Sequence, residues 1–193
     1  MKNNYSPFDL FKDWYNEALK LPVTTPSAMV LATTSNVGAA SARVVLLKEW
    51  SETGFVFYTN YQSRKAREME ENPLGSLLFY WEQLSKQVRI EGKIERVSIA
   101  QSETYFQSRP RESQLAAWAS KQSQLLSNRS DLENRFFEYK DKFPGKVPLP
   151  EFWGGYRLIP DKFEFWEDGD YRLHHRCVYK RHNNGWQSHL LNP

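Results

Sequence analysis

Ser41-Ala-Arg-Val-Val-Leu-Leu-Lys48, a polar break, then Gly54-Phe-Val-Phe-Tyr-Thr-Asn-Tyr-Gln-Ser-Arg-Lys65 is the stretch on which the reading of the fold turns. Val44 to Leu47 is a continuous apolar run, and Gly54 to Thr59 is β-branched and aromatic. Both suit strands better than helices. Glu49 to Thr53 is polar and of hairpin-loop length. In an antiparallel pair joined this way, the start of one strand lies beside the end of the next. Arg43 is therefore expected near Thr59, Ser63, Arg64 and Lys65, with Lys48 at the other end of its own strand. Such a cluster repels itself unless an anion sits in it, and guanidinium, ammonium and hydroxyl groups together suit a phosphate. Ordinary solvated charges flanking core strands would give the same pattern.

Working outward, Ser6-Pro7 reads as an N-cap and first-turn proline for an amphipathic helix. Its apolar face is Phe8, Phe11, Tyr15, Ala18 and Leu19, and it ends by Pro22. Ala28 to Thr33 reads as a strand and Ser35-Asn36-Val37-Gly38 as a turn. A short helix is expected over Arg64 to Glu71, a strand over Gly75 to Trp81, and an alternating strand over Gln87 to Val97. Gly92 occupies an inward position of that strand and marks a bulge. Ser98/Gln101 and Ser130/Glu133 read as capping boxes, and Pro110 pushes Arg109 out of helical geometry. Beyond Trp153 the period returns to two, over Tyr156–Ile159, Lys162–Trp166, Arg172–Lys180 and Trp186–Leu190. Asp168-Gly169 and Asn183-Asn184-Gly185 supply turns. Seven or eight short strands with inserted helices give a mainly β, α+β chain. A closed antiparallel barrel forming one domain over 1–193 fits better than two domains, with the strands of 152–193 completing it.

The totals narrow the function. The chain has 193 residues, a formal net charge of +3, 15% aromatics and a single cysteine. The mild positive balance suits small anionic ligands and does not call for nucleic acid. One cysteine excludes an internal disulfide, and no metal site is expected. No apolar run approaches a signal peptide or membrane span, so a soluble, cytoplasmic protein is expected. No P-loop, Gly-x-Gly-x-x-Gly, nucleophile elbow or zinc motif is present. Two further polar clusters remain. Tyr105, Arg109 and Ser113, with Arg111 and Gln122-Ser123 nearby, could offer a hydroxyl and a guanidinium to an anion, or simply cap the chain around Pro110. If Arg172-Leu-His-His-Arg176 is a strand, one face carries Arg172, His174 and Arg176, which is either solvated or covered by a ligand.

These residues carry a resemblance to the pyridoxamine 5′-phosphate oxidase family, from about Phe8 to Pro193. Its most specific pieces are Arg43-Val-Val-Leu-Leu-Lys48, Phe57-Tyr-Thr-Asn60 with Ser63-Arg-Lys65, and Gln87-Val-Arg-Ile-Glu-Gly92. Ser108-Arg-Pro-Arg111, Trp118-Ala-Ser-Lys-Gln-Ser123, Phe152-Trp-Gly-Gly155 and Glu164-Phe-Trp166 leading to Arg172-Leu-His174 follow in order. The resemblance implies an FMN-binding split barrel and a homodimer with two sites at its interface. It implies that Arg43, Arg64, Lys65 and Ser123 hold or flank the FMN phosphate. Val44, Val45, Leu46, Leu47, Lys48, Tyr58, Thr59, Gln87, Gln122, Trp166 and Arg176 would contact the rest of FMN. Lys48, Tyr105, Arg109 and Ser113 would bind the substrate phosphate. Arg172 and His174 would flank its ring as the catalytic pair, with His174 either orienting the substrate or assisting proton removal.

The implied reaction oxidises pyridoxamine or pyridoxine 5′-phosphate to pyridoxal 5′-phosphate, with dioxygen as acceptor and hydrogen peroxide as product. Three departures stand out. The family's N-terminal Arg-Arg-x-Tyr-like segment has no counterpart in Met1-Lys-Asn-Asn-Tyr5, which leaves closure over the substrate in question. His175 stands where the family has Asp, so a charge partner is expected to be missing near the site. Ala116 stands where Gly is common. The alternative is a relative that holds FMN or pyridoxal phosphate but acts on another substrate, as phenazine-pathway members do, or turns over little.

Overall fold

The computed structural model describes residues 6–22, 25–183 and 185–193. Met1–Tyr5, and Asn184 of the last expected turn, lie outside the described residues. Ser6 opens helix α1 (Pro7–Leu19) with a reciprocal cap. Its hydroxyl accepts from Asp9 N at 3.2 Å, and the Asp9 carboxylate accepts from Ser6 N at 3.1 Å. The stripe Phe8, Phe11, Trp14 and Ala18 is buried. Phe11 sits edge-on to Trp50, Phe55 and Phe79 with ring centroids 4.9–5.2 Å apart, so this helix fills the interior that the strands curl around.

Strands β1 (Ala28–Thr34), β2 (Ala40–Leu46), β3 (Glu49–Ser51) and β4 (Gly54–Asn60) come next, followed by α2 (Arg64–Glu71), β5 (Leu74–Trp81) and β6 (Lys86–Arg96). Helices α3 (Ile99–Ser108), α4 (Arg111–Ala119) and α5 (Arg129–Lys142) precede β7 (Trp153–Glu167), β8 (His175–His182) and β9 (Gly185–Leu190). All pairings are antiparallel, in the order β2-β1-β5-β6-β7-β4-β3, with β8 beside the second half of β7 and β9 beyond it. Among the described residues no ladder joins β2 to β4, so the barrel is split there rather than closed. Where the chain runs on from β2 into β3, Lys48 N donates to Val56 O at 2.9 Å, at the end of the β3–β4 hairpin.

The expected strand over Val44–Leu47 is present as far as Leu46, but its hairpin partner is not Gly54–Thr59. β2 pairs along its whole length with β1, and Glu49–Ser51, expected as loop, is a strand that turns back onto β4 through Glu52-Thr53. Arg43 and Lys65 nevertheless meet, because the sheet curls and brings β2 opposite β4 across the seam. Tyr156–Ile159 and Lys162–Trp166 are one continuous strand. The ladder shifts register between Glu91 and Gly92, opposite Pro160, so the proline falls where a rung is already lost. A Cβ at Gly92 would lie 2.0 Å from Ile159 O, so the bulge admits only glycine. Asn128, not Ser130, caps α5, accepting from Asp131 N at 2.9 Å, while Glu133 pairs instead with Arg129. Arg172 lies outside β8, in a turn where Tyr171 and Arg172 are both left-handed, so the expected single face of Arg172, His174 and Arg176 does not form.

Candidate active site

A cleft of about 590 Å³ opens at the seam. β2 supplies Arg43, Val44, Val45 and Leu46, with Lys48 just beyond, and β4 supplies Tyr58, Thr59 and Asn60. Lys65 enters from α2. Tyr105 comes from α3, Arg109 from the turn after it, and Ser113 and Ala116 from α4, while Gln122 and Trp153 add to the wall. Leu47, one residue past the end of β2, is the exception in the run: it is buried in the core at 5% exposure. Arg64 and Ser123 do not line the cleft. Arg64 lies along its own helix against Glu68, and Ser123 sits exposed in a left-handed turn.

At the α2 end of the cleft, charge is arranged around a buried carboxylate that the sequence pattern did not single out. Glu68 accepts from Thr33 Oγ1 at 2.5 Å, Ser41 Oγ at 2.6 Å, Arg64 Nε at 2.8 Å and Arg43 Nη2 at 3.2 Å. Burial pushes its carboxyl up, but these hydroxyls and guanidiniums outweigh it and hold the group at about 2. Arg43 is thereby fixed, also donating to Leu31 O at 3.2 Å. Among the described residues, Lys65 has no carboxylate of its own. Its Nζ reaches only Gln122 Oε1 (3.1 Å), Thr59 Oγ1 (3.2 Å) and Ser63 Oγ (3.3 Å). Burial, then the neighbouring Arg43, push it down to about 8 against the opposing pull of Glu68. A half-buried ammonium beside a guanidinium, ringed by hydroxyl and amide groups, is a site short of one anion.

The other end is aromatic and cationic. Tyr58 and Tyr105 stack with centroids 3.9 Å apart, and Trp153 lies parallel to both. Tyr58 OH donates to Glu49 at 2.9 Å, and burial with that bond drives its phenol well above the ordinary range. Pro110 keeps Arg109 extended (φ −76°, ψ 150°), which aims its guanidinium over Trp153, 4.7 Å from the ring centroid. Arg109 Nη1 is sealed from water and has no hydrogen-bond partner among the described residues, and burial depresses its pKa. A buried, unpartnered guanidinium N–H is costly unless a ligand accepts from it.

Gln87, Trp166 and Arg176 lie elsewhere, on one row across β6, β7 and β8. Glu164, 3% exposed, sits one rung away between Arg89 and Arg176, accepting from Arg176 Nη2 at 2.6 Å. Arg172 and His174 line a separate shallow hollow with Asp168. His174 packs 4.7 Å from Trp166, and its Nδ1 lies 2.8 Å from Asp168 Oδ1. So the carboxylate expected to be missing through His175 is present from another position. The structure thus gathers most of the expected residues into the cleft and into the β6–β8 row with its adjoining hollow, while Leu47, Arg64 and Ser123 join neither. Asn60 and Trp153 lie within stretches that carry the resemblance but were not singled out as site residues, nothing in the sequence marks Asp168 as one, and the one signal for Glu68 is its four-residue spacing from Arg64 on a helix.

This is the fold of the FMN-binding split barrels. A protein of Nostoc punctiforme PCC 73102, described as a pyridoxamine 5′-phosphate oxidase-related, FMN binding protein, superposes with a TM-score of 0.78 at 17% identity, over 97% of this chain and 98% of that one. PhzG from Burkholderia lata 383, solved with tetrahydrophenazine-1-carboxylic acid, superposes with a TM-score of 0.94 at 31% identity, over 100% and 95%. Residues 15–142 match the pyridoxamine 5′-phosphate oxidase family model, and 153–193 match the pyridoxine 5′-phosphate oxidase C-terminal dimerisation region. Pyridoxine/pyridoxamine 5′-phosphate oxidases from Rubrobacter xylanophilus and Coxiella burnetii are 50% and 49% identical, each over 97% of this chain and over 87% and 95% of their own lengths. The chain belongs to the pyridoxamine 5′-phosphate oxidase family. Among the described residues, no helix is long and apolar enough to cross a membrane.

Proposed function

We propose that the chain is an FMN-dependent oxidase that converts pyridoxamine or pyridoxine 5′-phosphate to pyridoxal 5′-phosphate. The observation that carries this reading is the cleft with an unsatisfied cation at each end. Lys65 beside Arg43 lacks an anion, and Arg109 Nη1 lacks an acceptor within reach of Tyr105 and Ser113. Two phosphorylated molecules end to end satisfy both. Arg43 and Lys65 hold the cofactor phosphate, with Thr59 and Gln122 completing the donor set. Arg109, Tyr105, Ser113 and Lys48 hold the substrate phosphate. The backbone of Val44–Leu46 runs along the cleft between these ends. FMN supplies the two-electron oxidation, and dioxygen regenerates it with release of hydrogen peroxide. The protein contributes position: a clamped phosphate uses binding energy remote from the reacting carbon to orient it.

Arg172 and His174 act on the ring from a second copy of the chain. Three things support this reading. The protomer keeps that pair out of the cleft, residues 153–193 match a dimerisation region, and an apolar row of Val44, Val30 and Leu78 faces outward beside the cleft. Val44 is 66% exposed in the isolated chain, as a residue awaiting a partner surface would be. The homology to PhzG keeps a phenazine-type substrate as the competing reading.

One assay separates them. Holoenzyme purified with FMN is given pyridoxamine 5′-phosphate in air and assayed for peroxide and aldehyde, in parallel with a reduced phenazine carboxylic acid. Peroxide with the first substrate alone is the expected result. Turnover of the second alone, or of neither, overturns the assignment.

A further inference from the structure

We propose that Asp168 is a positioning residue that fixes the proton of His174 on Nδ1 and so presents Nε2 as the imidazole's lone-pair nitrogen. This rests on the reading of His174 as a residue facing substrate. The contact itself stands in the structure: Asp168 Oδ1 lies 2.8 Å from His174 Nδ1. A carboxylate can only accept, so a contact this short requires a proton on Nδ1. Gly169 N approaches the same nitrogen at 3.4 Å. That contact is at the outer limit for a hydrogen bond and needs a lone pair where the carboxylate needs a proton, so the shorter, charge-assisted contact decides the tautomer. With Nδ1 protonated, neutral His174 has a single remaining acceptor, Nε2.

The segment between the two residues is built to hold the pair. Asp168 N donates to Ser85 O at 3.0 Å, tying the start of the loop to the β5–β6 turn. Leu173 N donates to Asp170 O at 3.0 Å, closing a tight turn in which Tyr171 (φ 57°) and Arg172 (φ 65°) are left-handed. Gly169 passes so close to Leu173 that a Cβ would lie 2.4 Å from its carbonyl oxygen. Trp166 flanks the imidazole at 4.7 Å. The Asp168–His174 contact spans this turn at its base. The same contact therefore frames Arg172, which lies inside the turn. His175, which stands where the family has Asp, begins β8 as an exposed residue.

Asp168→Asn tests the assignment with little change of shape. The amide keeps the size of the carboxylate but can donate to Nδ1, which favours the opposite tautomer. Nitrogen NMR of ¹⁵N-histidine-labelled holoenzyme reports the tautomer, with His174→Asn identifying the signal. The parent is expected to show the Nδ1–H form and Asp168→Asn the Nε2–H form. In peroxide assays kcat should fall about tenfold or more, as for other residues that orient a functional histidine, while KM for pyridoxamine 5′-phosphate changes less than about threefold. FMN affinity should not change. An unchanged tautomer in Asp168→Asn overturns the proposal, as does a tautomer switch with kcat within about twofold of the parent. A parent holoenzyme that makes no peroxide overturns the functional reading instead, and the nitrogen spectra still report on the pair.

Discussion

Lys65 is the side chain whose chemistry most directly reports what the cleft holds. Its ammonium is depressed to about 8 because burial and Arg43 both oppose its charge. In the unfolded chain the lysine keeps its proton to about 10.5. Between those values the unfolded state binds more protons, so this group makes the apoprotein more stable as pH rises through that window. Phosphate binding has the opposite sign, since only the protonated lysine pairs with the anion. FMN affinity of the apoprotein should therefore weaken as pH rises through about 8 toward 9.5, measured by quenching of flavin fluorescence. In Lys65→Arg the guanidinium stays charged, and the pH dependence should flatten. A parent whose affinity is flat over this range would remove Lys65 from the phosphate site.

At the scale of elements, α2 is a short helix whose one buried carboxylate ties polar groups of two strands to its own first turn. Glu68 binds Thr33 of β1, Ser41 and Arg43 of β2, and Arg64 of its own helix. Glu68→Gln keeps the shape but removes the charge, and should lower stability at neutral pH by about 2 kcal/mol, discounted from a fully buried network because Arg64 is exposed. The sign with pH is fixed by the depressed carboxyl: its contribution is complete above about 4.5 and drains away as pH falls to about 2. Urea unfolding should therefore show parent and variant converging across that window. A gap that persists at pH 2 would mean the network is held by shape rather than charge.

The same elements show what pattern could and could not reveal. β6 was legible because Val88, Ile90 and Ile94 face inward at every second position, with Gly92 breaking the rule at the bulge. β3 was not: three residues with polar flanks carry no periodicity, and only their pairing with Gly54–Val56 makes them a strand. The sequence pattern divides β7 at Pro160-Asp161, but the bulge opposite Gly92 removes the need for a proline N–H there and the strand runs on. Arg43, Lys65, Tyr105 and Arg109 were legible as cations and hydroxyls awaiting anions. Glu68 was hidden because a glutamate in Arg64-Lys-Ala-Arg-Glu-Met-Glu-Glu71 looks solvated until β1 and β2 bury it. Asp168 was hidden for a related reason: its partner is six residues away around a turn, a distance no helix or strand period marks.

At the scale of the whole molecule, the division of the site residues makes a strong demand. The cleft holds Arg109 but not Arg172, and the hollow at the end of β7 holds Arg172 but not Arg109. If two copies pair so that each hollow closes the other's cleft, every site takes one part from each chain. Arg109→Ala removes a charge-assisted contact to the substrate phosphate and should lower kcat/KM by about ten- to a hundredfold, with FMN retained. Arg172→Ala should also retain FMN and lose most oxidation. Each variant alone has two damaged sites per dimer. Denatured together in equal amounts and refolded with FMN, half the dimers are mixed. In a mixed dimer one site collects both lesions and the other collects none. The mixture should recover about a quarter of the parental activity, far above either variant by itself. Were both residues drawn from the same chain, every site would carry one lesion or the other, and mixing would restore nothing. That outcome would place the catalytic pair within a single protomer and end the case for a shared site.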